Sequence, residues 1–195
     1  RDSSFNPYTW HETLLKGTRM ESSPNEIQKP VITYINRQKS NRALATRDHQ
    51  WILKTFSAMD QITFQHREME LIDGQNQAEI ALSTDVLIGG HGNGLTHSFF
   101  MKPNSTVIEL FYKSFQFDYA TASQLMLHDY LGIVDGKLLV DVGMVQARNP
   151  RLMKIFHSKR KRSLFGNRPS LGAQAKKAIL HLVDKAVTKF NSRNV

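Results

Sequence analysis

The feature that most constrains this chain is a run of four glycines in six residues, Gly89-Gly90-His91-Gly92-Asn93-Gly94, directly after the apolar segment Val86-Leu87-Ile88. The apolar run reads as a buried strand beginning near Asp85, and the glycines let the backbone turn sharply at its end. A helix from about Leu95 to Met101, broken by Pro103, and a further strand over Thr106–Phe111 complete the unit. Strand, glycine-rich loop, helix and strand in so short a stretch form a βαβ unit. Its strands must then be parallel, and parallel sheets need helices on their faces. The expected fold class is α/β, a Rossmann-like parallel sheet with helices on both faces.

The surrounding sequence extends this pattern. Residues 1–30 are polar, contain Pro24 and Pro30, and read as an irregular lead-in or the remnant of an N-terminal domain. Val31–Ile35 has the look of a buried strand and runs into a polar loop, Asn36 to Arg42. Asp48 is placed to cap a helix reaching about residue 58, with Trp51, Ile52, Thr55 and Phe56 on one face. A strand at Gln61–Phe64, a helix at Gln75–Ser83 and a helix at Phe117–Leu127 follow. Asp135-Gly136 is the signature of a tight hairpin between strands near 131–134 and 137–142. The Rossmann-like domain is thus expected over residues 31–147. A basic C-terminal segment, 148–195, carries an amphipathic helix at about 170–191, whose apolar stripe runs from Leu171 to Phe190.

The loop suggests an anion. Amides exposed at a helix start favour negative charge, and a diphosphate fits. The spacing is not a strict G-x-G-x-x-G, because Leu95 stands in the third glycine's place, and no Walker lysine follows. His91, inside the loop, is a candidate donor to a phosphate or a sugar, or else a loop histidine bonded to the backbone. Glu109, late in the following strand, is placed either to accept from ribose hydroxyls or to serve as a structural carboxylate. Arg37 and Arg42 follow the first strand at the same sheet edge, and arginine offers a planar bidentate donor to phosphate.

Charge does not identify the ligand. The 195-residue chain has a formal charge of +9, which invites a polyanion partner. Residues 148–195, however, hold 13 of the 26 Lys+Arg and only one acid, Asp184, so the body is slightly acidic. Lys159-Arg160-Lys161-Arg162 is the densest basic run. Two readings compete for the ligand of this chain: a basic module for RNA or an acidic membrane surface, using this tail, and a dinucleotide oxidoreductase domain, using the loop. The chain has no cysteine, which excludes thiolate chemistry and zinc fingers. There is no Asp-x-Asp and no His-x-x-x-His, so neither a Mg/Mn nor a Zn site is suggested, and no cofactor is expected. Asn104-Ser105-Thr106 is an N-glycosylation sequon at Asn104. No apolar stretch is long enough to span a bilayer, and the start, Arg-Asp-Ser-Ser, reads as a piece of a longer protein.

Three segments in order, Val31-Ile32-Thr33-Tyr34-Ile35-Asn36-Arg37, Thr84 through His97, and Val107-Ile108-Glu109-Leu110-Phe111, resemble the motifs of glycosyltransferase family 61. Phe117-Asp118-Tyr119 resembles a further block of that family. Many members read His-Gly-Ala-Gly-Leu-Thr-Asn where this chain has His-Gly-Asn-Gly-Leu-Thr-His, and Asn93 and His97 are more like fungal-type members. The resemblance implies a GT-B fold, of which this chain would be the C-terminal, nucleotide-sugar-binding half. It implies inverting, metal-independent transfer from a UDP-sugar, UDP-GlcNAc or UDP-xylose, to a protein or glycan hydroxyl. It also implies the Golgi or endoplasmic reticulum lumen, with room for a membrane anchor outside this chain and no nucleic-acid partner. Carried over by motif, Arg37 and Arg42 would face the diphosphate. Gly90, His91, Gly92, Asn93, Gly94, Leu95 and Thr96 would cradle the donor, and Glu109 would hold its ribose side. His91 is the candidate catalytic residue.

Overall fold

The computed structural model describes residues 5–17, 28–36, 43–111, 116–146 and 170–192. In chain order the elements are α1 (Pro7–Lys16), β1 (Val31–Ile35), α2 (Thr46–Ser57), β2 (Thr63–Arg67), a 3-10 turn (Met69–Leu71), α3 (Gly74–Ser83) and β3 (Val86–Gly90). A 3-10 helix (Asn93–Phe100), β4 (Thr106–Phe111), α4 (Asp118–Leu125), β5 (Asp129–Val134), β6 (Leu138–Val140), α5 (Val142–Gln146) and α6 (Ala173–Asn191) follow.

The strands form one six-stranded sheet in the order β2-β1-β3-β4-β5-β6. The first five are parallel, and β6 closes the edge antiparallel to β5, so the sheet is mixed. The strand order reverses between β1 and β3: the chain steps outward to β2, returns across β1, and then builds in the other direction. Such a reversal separates the two connecting loops at the carboxyl edge and opens a crevice there. In this molecule those loops follow Ile35 and Gly90.

Alternation along the strands sorts side chains into two cores. Ile32, Tyr34, Val86, Ile88, Ile108, Leu110, Leu131 and Ile133 face α2 and α6. Ile35, Leu87, Val107, Phe111 and Val134 face Leu95 and Met101 around the 3-10 helix and Tyr119 and Ala120 of α4. The expected α/β class with helices on both faces is what forms.

Asp48 is not the α2 cap. The helix begins two residues earlier, and Asp48 is fully buried in its first turn. Its carboxylate accepts the Leu171 amide at 2.8 Å and pairs with Lys176 at 2.7 Å, which ties the start of α6 to α2. The α6 stripe is buried at Leu171, Ala175, Ile179 and Val183, the Leu171, Ile179 and Val183 side chains each contributing about 1.5–3 kcal/mol when wholly removed from water. The basic residues beside the stripe are not all solvated. Lys185 and Lys189 lie 3.1 and 3.8 Å from Asp129, so part of the C-terminal charge is neutralised against the body. Lys159–Arg162 lies outside the described residues.

The lead-in contains a helix. Asn6 caps α1, its side chain accepting from the Tyr8 and Thr9 amides, with Pro7 at the first helical position. Trp10 Nε1 donates to the Phe99 carbonyl at 2.8 Å, which docks α1 on the 3-10 helix. The helix expected at Leu95–Met101 is this 3-10 helix, Asn93–Phe100, which starts earlier, straight out of the glycine-rich loop.

Candidate functional site

The loop after β3 owes its course to its glycines. Gly92 sits at φ 136°, a backbone conformation open to glycine alone. A Cβ on Gly94 would stand 3.2 Å from Ile35 Cγ2, and one on Gly89 would stand 3.0 Å from Leu95 Cδ2. These glycines therefore let the loop press against the end of β1, placing it in the crevice where the strand order reverses. The Leu95 amide closes the turn onto the Gly92 carbonyl at 2.9 Å, and the Thr96 hydroxyl closes onto the Asn93 carbonyl at 2.6 Å. Opening amides of such a helix have no carbonyl ahead of them within the helix, and here they stand beside the crevice.

His91 extends β3 by one bond, its amide donating to the Leu110 carbonyl at 2.9 Å. Its ring is held on three sides. Nδ1 lies 2.6 Å from Glu109 Oε1, the ring stacks on Phe111 with centroids 5.0 Å apart, and Tyr119 meets it edge-on at 5.9 Å. Glu109 is fully buried, and its second oxygen accepts from the Tyr130 hydroxyl at 2.7 Å. Gly132 stands opposite Glu109 in the β4–β5 register, and Tyr130, two residues earlier on the same face, meets that carboxylate diagonally.

Burial pushes the Glu109 carboxyl above its ordinary range, while the bonds from His91 and Tyr130 oppose the shift. Tyr130 is pushed well above the usual phenol value, first by burial and then by the neighbouring carboxylate. The three side chains thus form a buried chain of hydrogen bonds running from β5 through β4 to the glycine-rich loop.

A second chain supports the loop from α3. His97 Nδ1 lies 2.7 Å from the Gly94 carbonyl and Nε2 lies 2.8 Å from Gln77 Oε1. Gln77 in turn donates to the carbonyls of Met69 and Ile72.

Of the residues singled out from the sequence, Gly90, His91, Gly92, Asn93, Gly94, Leu95 and Thr96 are gathered at this edge. Leu95 is fully buried under the loop, whereas Asn93 and Thr96 are exposed. Glu109 lies beneath His91 with no exposed surface, so any effect on a ligand passes through the histidine. Arg37 and Arg42 lie outside the described residues. They bracket the chain between Asn36, whose amide is bonded to Arg67 at the end of β2, and Ala43. Asn104 is elsewhere, in the turn before β4, at φ 66°, with its side-chain amide donating to the Tyr8 hydroxyl at 2.9 Å.

Tyr130 and Gln77 carry no sequence signal of their own, since their places depend on strand register and on the packing of α3, whereas Tyr119 stands in the Phe117-Asp118-Tyr119 block singled out above. Among the described residues no cluster of three or more His, Asp or Glu side chains is arranged to hold a metal ion. No helix of the described residues is long and apolar enough to cross a membrane. A cleft of about 440 Å³ lies at the opposite sheet edge, lined by Asn104, Gln124, His128, Asp129, Asp141 and neighbours. It shares Tyr130 alone with the His91 network.

Residues 3–108 match the glycosyltransferase 61 family model, a stretch that contains the whole glycine-rich loop and stops one residue short of Glu109. Over 84 residues the chain is 36% identical to the EGF domain-specific O-linked N-acetylglucosamine transferase of Drosophila melanogaster. That alignment covers 43% of this chain and 16% of the relative, so the chain corresponds to a small part of the longer protein. With the family match extending over more than half of its residues, the chain belongs to glycosyltransferase family 61.

Proposed function

We propose that this chain is the nucleotide-sugar-binding part of a glycosyltransferase with a GT-B arrangement. It would hold a UDP-sugar, UDP-GlcNAc or UDP-xylose, for inverting transfer to a protein or glycan hydroxyl in the secretory pathway. The observation that carries the reading is the oriented His91 inside a glycine-rich loop at the strand-order reversal, within a segment matched by a glycosyltransferase family. The relative's printed name supports N-acetylglucosamine as the sugar.

In an inverting transfer the acceptor oxygen bonds to the anomeric carbon as the bond from that carbon to the diphosphate breaks. The acceptor proton passes to a base, and UDP departs with the electron pair. The leaving group's developing charge is what a donor-binding half must stabilise. Loop amides and His91 supply donors here, and Arg37 and Arg42 supply cations from the loop after β1. Glu109, when ionised, accepts the Nδ1 proton of His91, fixing the tautomer and the plane of the ring. Tyr130 donates to the other oxygen and keeps that carboxylate from turning. These donors need no metal, and we propose a metal-independent reaction.

Thermal denaturation with UDP, UDP-GlcNAc, UDP-xylose, GDP and NAD tests the assignment. Stabilisation by the uridine nucleotides above the others is expected. A folded sample stabilised by none, or by NAD alone, would contradict it.

A further inference from the structure

Asn104 heads the single Asn-x-Ser/Thr sequon of the chain, and the fold sets it in the wall of the cleft of about 440 Å³ at the amino edge of the sheet. Three parts of the molecule meet there. The Asn104 side chain donates to the Tyr8 hydroxyl of α1 at 2.9 Å, its carbonyl accepts from Lys189 of α6 at 2.9 Å, and its amide donates to the Leu127 carbonyl at 2.9 Å. The residue is still part-exposed. Its Nδ2 carries two hydrogens, so one can be replaced while the other donates to Tyr8.

Leu127 is unusual in the same place. It sits at φ 58°, in the left-handed region that a leucine rarely enters, and it is 47% exposed. Strain of this kind holds an apolar side chain in water at the cleft wall, where a ligand would cover it. Val142 and the exposed residues Gln124 and Asp141 line the same cleft. Aliphatic surface interleaved with an amide and a carboxylate suits a sugar ring, whose C–H face is apolar and whose hydroxyls both donate and accept.

We propose that Asn104 carries an N-linked glycan and that the cleft beside it seats the first sugar, an N-acetylhexosamine, against Leu127 and Val142. In the transfer, Asn104 Nδ2 bonds to the anomeric carbon of an oligosaccharide linked to a lipid diphosphate. The bond from that carbon to the diphosphate oxygen breaks, the lipid diphosphate leaves with the electron pair, and one Nδ2 proton is released. Ser105 and Thr106 are each 3% exposed, and Thr106 opens β4, so the sequon is read before β4 joins the sheet. The inference rests on the secretory-pathway part of the reading above and is separate from the donor site at the carboxyl edge.

Two measurements on the full chain decide it. The chain is led into the secretory pathway of yeast by a cleavable leader, purified, and treated with an amide-releasing glycosidase in heavy-oxygen water. Mass spectrometry is expected to find Asn104 converted to labelled aspartate, and Thr106→Val to abolish the label. An unlabelled Asn104 would overturn the modification, and UDP stabilisation of the same sample would show the donor reading intact. The seat is tested by thermal denaturation of the secreted chain, trimmed to its first sugar, against the identical sequence made unmodified in bacteria. The modified form is expected to melt about 2–4 °C higher, a shift of the size one added apolar contact gives a chain of this length. In Leu127→Ala, prepared in both forms, that difference should vanish. Equal melting temperatures, or a difference that survives Leu127→Ala, would overturn the seat.

Discussion

Glu109 shows how a residue's meaning depends on what lies two strands away. The sequence makes it an acid near the end of an apolar strand, fit either for a ligand or for a structural bond. In the fold both its oxygens are taken, by His91 and by Tyr130, and its exposure is nil. The half of this network inside the glycine-rich segment was legible, because His91 stands in an unmistakable loop. Tyr130 was not, because its distance to Glu109 is set by the register of β4 on β5. The raised pKa of Glu109 has a sign. From the ordinary value of 4.5 up to its folded value, the native state keeps a proton that the unfolded chain has released. Its stabilising contribution is then fully present below 4.5 and is lost as pH rises through the folded value. Glu109→Gln should abolish that slope, as read from urea midpoints across pH 4–7. The same variant should weaken UDP binding by about tenfold, the cost of losing one charge-assisted bond that orients His91. An unaltered midpoint profile would show that Glu109 is ionised throughout.

Among the elements, those defined by local chemistry follow the sequence closely. The hairpin at Asp135-Gly136 is the clearest: both residues adopt positive φ, 51° and 66°, as a tight two-residue turn requires. The turn also supports α6, since the Gly172 amide donates to the Gly136 carbonyl at 2.9 Å. Helix α1 was illegible for a different reason. Asn6-Pro7 is a good start signal, but the residues that follow lack a strong apolar stripe, and the helix is anchored by Trp10 and Tyr8 on distant turns. Asp48 misleads in the same manner, being a capping residue by type and a buried docking point in fact. Asp48→Ala should cost about 3 kcal/mol, because it removes the acceptor of the buried Leu171 amide and the partner of the Lys176 ammonium. Denaturant unfolding measures this. A loss below 0.5 kcal/mol, a limit of about the size of ordinary surface changes, would show that α6 docks through its apolar stripe alone.

For the molecule as a whole, the α/β class and the glycine-rich edge were readable, whereas the reversal of strand order between β1 and β3 was not. No local pattern encodes which side of β1 a later strand will join. Yet this reversal gives the loop its significance, since in sheets of this kind ligands bind at the carboxyl edge where the strand order reverses. Stability should also register the opposite edge. Burial lowers His128 from 6.5 to about 4, so its neutral form is favoured in the fold. Stability should therefore fall by about 3 kcal/mol as pH drops from 6.5 to 4, opposing the trend from Glu109 in the overlapping range. His128→Leu should flatten that component in pH-dependent unfolding, and a slope unchanged by the variant would place the titration elsewhere.

The central claim is that the carboxyl edge at the β1–β3 reversal, and not the cleft beside His128, receives the nucleotide. Amide chemical-shift mapping with saturating UDP tests it most directly. Shifts concentrated at Asn36 and from Gly89 to His97 are the expected result. Shifts clustered at Asn104, His128 and Asp141, or none at saturation, would contradict it.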